Sequence, residues 1–273
     1  VLLPSFIAGI VSYHVTSLFG IKYLYHMFNF VPVFTHLFFL KVIAAGIFFG
    51  FCSFILIEIL SLGKKIGGKI RVWAPFKSLL GGILLIGLAL LFSTQYLGLG
   101  LDTIEKCLNG ERMPWYAFLI KSLATSLTLN FGGSGGIVTP IFFVGSASGN
   151  IFAQIFNLDV ATFSALGLVA LLAGAANTPI AASIMAIELF GPKIAPYAAV
   201  ACVLSFLMTG YRSVYPSQVL SFKKSKFIEA DTGKEMQDVK LRFKDPRNNR
   251  FLRLVIDARA LLRRKLIKHH RSS

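Results

Sequence analysis

Between two long apolar segments the chain carries Phe131-Gly-Gly-Ser-Gly-Gly-Ile-Val-Thr-Pro140, and this break limits what the chain can fold into more than any other stretch. In a bilayer, non-helical backbone survives only where protein covers it or where it lines a polar cavity. Pro140 stands where the apolar run resumes, and proline suits a first helical turn because its missing N–H would be unpaired there anyway. The N–H groups of Ile137, Val138 and Thr139 then face the break together with the positive end of a helix dipole. With Gly135 and Gly136 as a flexible approach, that outlines an anion site.

The class follows from composition. At 273 residues, 55% hydrophobic and a mean hydropathy of +0.69, the chain is too apolar for a soluble domain and reads as a polytopic, all-α membrane protein. Apolar runs recur near residues 2–20, 37–62, 78–100, 114–129, 137–156, 160–190 and 194–209. Several fall short of the roughly 20 residues of a simple span, which predicts broken and re-entrant helices of the kind that build sites at the midplane. The chain opens on Val1 inside an apolar run, so part of the protein is expected upstream. Of the net +16, residues 222–273 hold 16 Lys/Arg against 6 Asp/Glu and residues 1–221 hold 12 against 6. The expected division is therefore a membrane domain over 1–221 and a basic tail over 222–273. The cluster Lys64, Lys65, Lys69, Arg71 and Lys77 places the 63–77 loop on the cytoplasmic side with the tail. That predicts a multi-pass protein of a cell inner membrane with a cytoplasmic C-terminal tail.

A second break, Gly174-Ala-Ala-Asn-Thr-Pro179, repeats the Thr-Pro start. Two helix N-termini at membrane depth within about 40 residues argue for a pore or carrier rather than a kink. Between them the turn Asn157-Leu-Asp159 divides two helices, and Gly145, Ser146, Ser148 and Gly149 stand at close-packing spacing. Tyr23 to Phe34 resembles an interfacial aromatic belt, and Lys41 to Leu62 reads as a long helix whose Glu58 snorkels or pairs with Lys64 or Lys65. Asp102 is placed to cap a short helix, with Glu105 in its first turn. Lys121, within an apolar helix, is either functional or reaches a neighbouring carbonyl or the interface. Tyr215, in Gly210 to Leu220, either donates its hydroxyl to an anion or anchors at the interface.

Other chemistries find little support. Cys52, Cys107 and Cys202 are isolated and read as buried apolar side chains. His14, His26 and His36 are scattered, so no metal, cofactor or disulfide is predicted. No aromatic-spaced or zinc motif accompanies the basic tail, which argues against nucleic acid. Six carboxylates in residues 1–221, mostly in connections, offer no catalytic set, so the chain is not read as an enzyme. A non-transporting membrane scaffold remains the alternative.

The residues also resemble a known family. Gly135-Gly-Ile-Val-Thr-Pro140 followed by Gly145 and Gly149 is similar to the Gly-x-Phe-x-Pro helix start of CLC chloride channels and proton-coupled anion antiporters. Leu166 to Ile180, with Ile187-Glu-Leu-Phe-Gly191 after it, resembles that family's next helix pair. Val214-Tyr-Pro-Ser217 matches the segment bearing its central tyrosine. The resemblance implies the second inverted repeat of a CLC-type fold, a homodimer with one pathway per subunit for chloride or another small anion, with protons as a further partner. It implies a tyrosine helix near Tyr215 and makes the N–H groups of Ile137 and Val138 and the Tyr215 hydroxyl the central anion ligands. The Gly-Ser-Gly-x-Pro and Gly-Lys/Arg-Glu-Gly-Pro loops of the family are not among these residues, so the chain carries half a site. The family usually places Phe then Ala before the proline, whereas here Val138 and Thr139 stand. The threonine either bonds its own preceding turn or reshapes the site for fluoride. Glu188, before a Phe-Gly helix end, reads as structural or as part of a subunit interface. Asn248 to Arg271 reads as an amphipathic basic helix suited to an anionic leaflet.

Overall fold

The computed structural model describes residues 2–20, 36–70 and 72–220, and beyond them 224, 228–230, 232–236, 239 and 241–243. The belt expected over Tyr23–Phe34 and the basic helix expected over Asn248–Arg271 lie outside the described residues. The chain divides into two compact units, Val1–Val214 and Tyr215–Ser273.

Among the described residues the first unit holds α1 (Leu2–Leu18), α2 (His36–Lys69), α3 (Ala74–Leu91), α4 (Leu101–Leu108), α5 (Ala117–Asn130), α6 (Val138–Phe156), α7 (Val160–Ala176), α8 (Pro179–Phe190) and α9 (Ala195–Thr209). By length and composition α2, α3, α6 and the segment Pro192–Thr209 can each cross a membrane. The 17 residues of α7 and the 12 of α8 fall below the roughly 20 of a full span, as the broken-helix reading predicts. The 34 residues of α2 extend well beyond Lys41–Leu62, to about 50 Å.

The core gathers around α7. Fourteen of its positions are buried, and a helix apolar on all sides needs neighbours on all sides. It obtains them by close approach at small residues. Gly145 and Gly149 of α6 face Gly167 of α7 so tightly that a Cβ on Gly167 would meet the Gly145 carbonyl oxygen at 2.3 Å. Gly174 sits among the Ser53, Ser205 and Thr209 hydroxyls of α2 and α9, each 2.6 Å from where its Cβ would stand. Ser146 and Ser148 donate to the Phe143 and Gly145 carbonyls at 3.0 and 2.8 Å, which satisfies them within the helix.

Several local expectations need correction. Asp102 does not cap α4; Gly100, at φ +72°, takes the cap position and accepts from the Ile104 N–H at 3.1 Å, leaving Asp102 rather than Glu105 in the first turn. Glycine enters the left-handed region at no steric cost, so the cap forms one residue before the helix and two before the carboxylate. The second break is narrower than the glycine suggests. Gly174 to Ala176 stay helical, and only Asn177, at φ 58°, and Thr178 separate α7 from α8. Tyr215 to Gln218 form a turn, with the Gln218 N–H donating to the Tyr215 carbonyl at 3.1 Å, so among the described residues no helix follows α9.

In the second unit β1 (Ile228–Ala230) pairs antiparallel with β2 (Leu241–Phe243), Ile228 opposite Phe243. The Leu220 N–H donates to the Lys234 carbonyl and the Gly233 N–H to Leu220, at 2.9 and 2.8 Å.

Candidate functional site

The Gly-rich break is held at both ends. On the α5 side, Asn130 Nδ2 donates to Ser126 O at 2.9 Å and Leu60 O at 3.4 Å, while Ser126 Oγ donates to Ile59 O at 3.0 Å. These bonds fix the end of α5 to α2. Gly132, at φ +97°, then reverses the chain, and the Gly133 N–H closes on Thr128 O at 2.9 Å. From there Gly133 to Gly136 run exposed and irregular to Ile137.

On the α6 side, Ile137 is the cap and Val138 the first helical residue. The first helical bond runs from the Ile141 N–H to Ile137 O at 3.0 Å. Among the described residues nothing accepts from the N–H groups of Ile137, Val138 or Thr139, and Pro140 has none to offer. A helix start leaves such donors unmet, with the positive end of the dipole behind them. The Thr139 hydroxyl makes no hydrogen bond with the described residues either, so the back-bond to its own turn is not formed. Val138 is 41% exposed and Pro140 is buried.

Asn150, fully buried about three turns further along α6, anchors this helix. Its Nδ2 donates to Glu111 O at 2.7 Å, and its Oδ1 accepts from the Met113 N–H at 3.0 Å and from Gln154 Nε2 at 2.7 Å. The connection between α4 and α5 thereby hydrogen-bonds onto α6. Nothing in the local sequence marks Asn150 for this role, because the backbone groups it holds, at Met113 and Glu111, lie 37 and 39 residues away.

The structure brings the start of α6 beside the end of α7. Ile137 and Val214 pack against one buried cluster that includes Cys52, Leu56, Ile141, Val144, Leu171 and Ala175. Val214 is further tied by its N–H to Ala175 O at 2.9 Å, and Asn177 Nδ2 donates to Arg212 O at 2.8 Å. Glu58 does not pair with Lys64 or Lys65. It forms an ion pair with Arg212, whose guanidinium lies 4.4 Å from the Phe54 ring centroid. The planar, stacking guanidinium outcompetes the two lysines, which stand nearly two turns along the same helix. Tyr215, the residue after Val214, opens the second unit and is 38% exposed. Lys121 does not interrupt α5. It is 1% exposed and its Nζ donates to Gly98 O at 2.6 Å and Tyr96 O at 3.1 Å, so of the readings offered by the sequence it takes the carbonyls. The second helix start, at α8, is built on Pro179, with the Ala182 N–H bonding Thr178 O at 3.0 Å.

With this geometry in place, comparison with known proteins is informative. The voltage gated chloride channel family model matches residues 1–210. A chloride/fluoride channel protein of Pseudomonas syringae pv. tomato is 33% identical over 233 residues, 82% of this chain and 51% of that protein. The voltage-gated ClC-type chloride channel ClcB of Escherichia coli is 26% identical over 179 residues, 62% of this chain and 43% of that protein. The chain thus spans about half the length of the curated relatives it matches. Among solved structures, a CLC-type fluoride/proton antiporter is similar with a TM-score of 0.74 and 27% identity, covering 79% of this chain and 55% of that one. The helical order, the two proline-led helix starts and these matches agree: the chain is an integral membrane protein and belongs to the voltage-gated chloride channel family.

Proposed function

We propose that this chain supplies half of the anion pathway of a membrane transporter, and that a halide is held at the start of α6 by the N–H groups of Ile137 and Val138 with the Tyr215 hydroxyl completing the set. The observation that supports it is the cluster of unmet backbone donors at Ile137, Val138 and Thr139. Amide dipoles preorganised in a low-dielectric site replace an anion's hydration shell, and without a full counter-charge against the anion they let it leave again. Gly135, Gly136 and Pro140 shape the approach. Tyr215 enters this reading through the chain. Val214 is packed into the same cluster as Ile137, and the phenol follows one residue later. In the proposed assembly two copies form a homodimer in a cell inner membrane, protons are exchanged with the anion, and the membrane domain extends to residue 221 with a cytoplasmic tail over 222–273.

A second reading, fluoride as the anion, is favoured by one feature of the site. Thr139 places a hydroxyl with no partner among the described residues beside two unmet amides, and Val138 is smaller than the usual phenylalanine. A small, strongly hydrated anion gains most from an added donor. Relatives named for fluoride accord with this reading. The test is isotopic chloride and fluoride flux into proteoliposomes of the full-length protein. Anion-selective uptake is expected, and Thr139→Ala should lower the fluoride/chloride ratio about tenfold, the value of one hydrogen bond to a charged group. An unchanged ratio removes the fluoride reading, and absence of any anion flux removes the transport reading.

The sidedness has its own check. Cys52, Cys107 and Cys202 are at most 1% exposed, so a cysteine introduced by Lys234→Cys, at an exposed turn, should be the principal target of a membrane-impermeant maleimide. Labelling from the cytoplasmic face alone is expected. Labelling from outside would reverse the orientation.

A further inference from the structure

The end of α2 carries charge that the start of α6 does not use. Between Glu58 and Asp102 the sequence has Lys64, Lys65, Lys69, Arg71 and Lys77 and neither Asp nor Glu. Glu58 is itself taken by Arg212, and among the described residues none of the four lysines forms an ion pair. The tail offers no counter-charge, since residues 222–273 hold 16 Lys/Arg against 6 Asp/Glu. Lys64, Lys65 and Lys69 are exposed. Lys65 and Lys69 stand four apart on one face of the helix, where like charges repel. Lys77, from the first turn of α3, joins them. Its Nζ lies 3.4 Å from where a Cβ on Gly67 would stand, and Gly67 follows Lys64 by three residues, on the same face. The turn between the two helices thus folds a fourth ammonium back onto the last turns of α2. The negative end of the helix dipole accounts for Lys69, in the final turn, but it fades within that turn and leaves Lys64 and Lys65 unexplained.

The depth of these lysines is that of phospholipid headgroups. Lys41 to Leu62 covers about 33 Å at 1.5 Å per residue, close to the thickness of a hydrocarbon core, and the cations follow directly. Apolar side chains flank them. Trp73 is 78% exposed, and Leu62, Ile66 and Phe76 are exposed as well. Tryptophan is favoured where headgroups meet acyl chains, because its ring is apolar and its N–H is polar. An acidic soluble partner would answer only the charge. A ligand with an anionic head and an apolar body answers both halves of the surface.

We propose that the end of α2 and the turn into α3 form a binding site for an anionic phospholipid of the adjoining leaflet. Its phosphate is held among Lys64, Lys65, Lys69 and Lys77, and its chains lie against Trp73 and Phe76. This site shares no residue with the start of α6 and does not depend on which anion is carried. Native mass spectrometry of the full-length protein, released from micelles doped equally with phosphatidylglycerol and phosphatidylcholine, tests it. Phosphatidylglycerol should be retained in preference. Each of Lys64→Gln, Lys65→Gln and Lys69→Gln should weaken its binding about fivefold, and the triple variant roughly a hundredfold, the value of basic residues near an anionic surface. A matched triple, Lys106→Gln with Arg112→Gln and Lys193→Gln, removes the same charge from exposed positions elsewhere and should leave binding unchanged. Trp73→Ala should weaken both lipids. Equal retention of the two lipids overturns the inference, and so does a first triple that loses no more than the second. Displacement of the lipid by excess inorganic phosphate also overturns it, because the site would then take a soluble anion without the chains. Should the first triple fail to fold, the three single variants decide by the same comparison.

Discussion

Gly149→Val in the full-length protein should lower the temperature of unfolding in detergent by about 10 °C or prevent folding altogether. A Cβ on Gly149 would stand 1.9 Å from the Phe163 carbonyl oxygen, 2.6 Å from its carbon and 2.8 Å from Ser164 Cα. All three are backbone atoms of α7, which cannot turn aside as a side chain would. Nor can α7 shift away, because it is buried on every face against α2, α6, α8 and α9. Overpacking ordinarily costs about 1–3 kcal/mol, and a collision of backbone with backbone belongs at or beyond the upper end. At roughly 2–4 °C per kcal/mol for a domain of this size, the shift is about 10 °C. The control is Gly87→Ala on α3, where nothing lies within 4 Å. Helix propensity favours alanine there by up to about 1 kcal/mol, so no loss is expected. Equal losses at the two positions would show that the glycines matter for helix flexibility rather than for the α6–α7 crossing.

What the sequence reveals of this fold follows the range of the interactions. The glycine break and Pro140 announce the start of α6 because both act on their own backbone. Asn157 and Asp159 mark the α6–α7 turn for the same reason; Asn157 takes φ 49° and Asp159 accepts from the Thr162 N–H at 2.8 Å. Gly145 and Gly149 reveal close packing by their spacing, but only the structure shows that Gly167 is their counterpart. Contacts made across the fold are not legible. Glu58 has lysines six and seven residues away and yet pairs with Arg212, 154 residues on. Lys121 could have gone to the interface, and only the loop at Tyr96 to Gly98 shows why it does not. Of the candidate site, the helix start at Ile137, Val138 and Thr139 is local and therefore readable. The expected helix at Tyr215 is not formed, since Pro216 and the polar residues after it favour a turn.

Removal of a single proton donor should have the largest functional effect. If Val138 is joined to Ile137 by an ester in place of the amide, its N–H is lost while its side chain and φ/ψ preferences are kept. The helix loses little by this: the first residue of α6 has no intrahelical acceptor for its N–H, and the Ile137 carbonyl, now an ester, only weakens as acceptor for the Ile141 N–H. A bound halide loses one of its few donors. A hydrogen bond to a charged group is worth about 1.5–3 kcal/mol, hence a weakening of roughly tenfold or more. The same ester at Ile141, whose N–H is spent on Ile137 O at 3.0 Å, should cost stability and leave the anion untouched. The deciding measurement is calorimetric titration of chloride and fluoride into the full-length protein carrying the Val138 ester. Affinity about tenfold weaker, with a melting temperature lowered less than by the Ile141 ester, is the predicted result; unaltered affinity for both anions would mean that the amides at the start of α6 do not hold the ion.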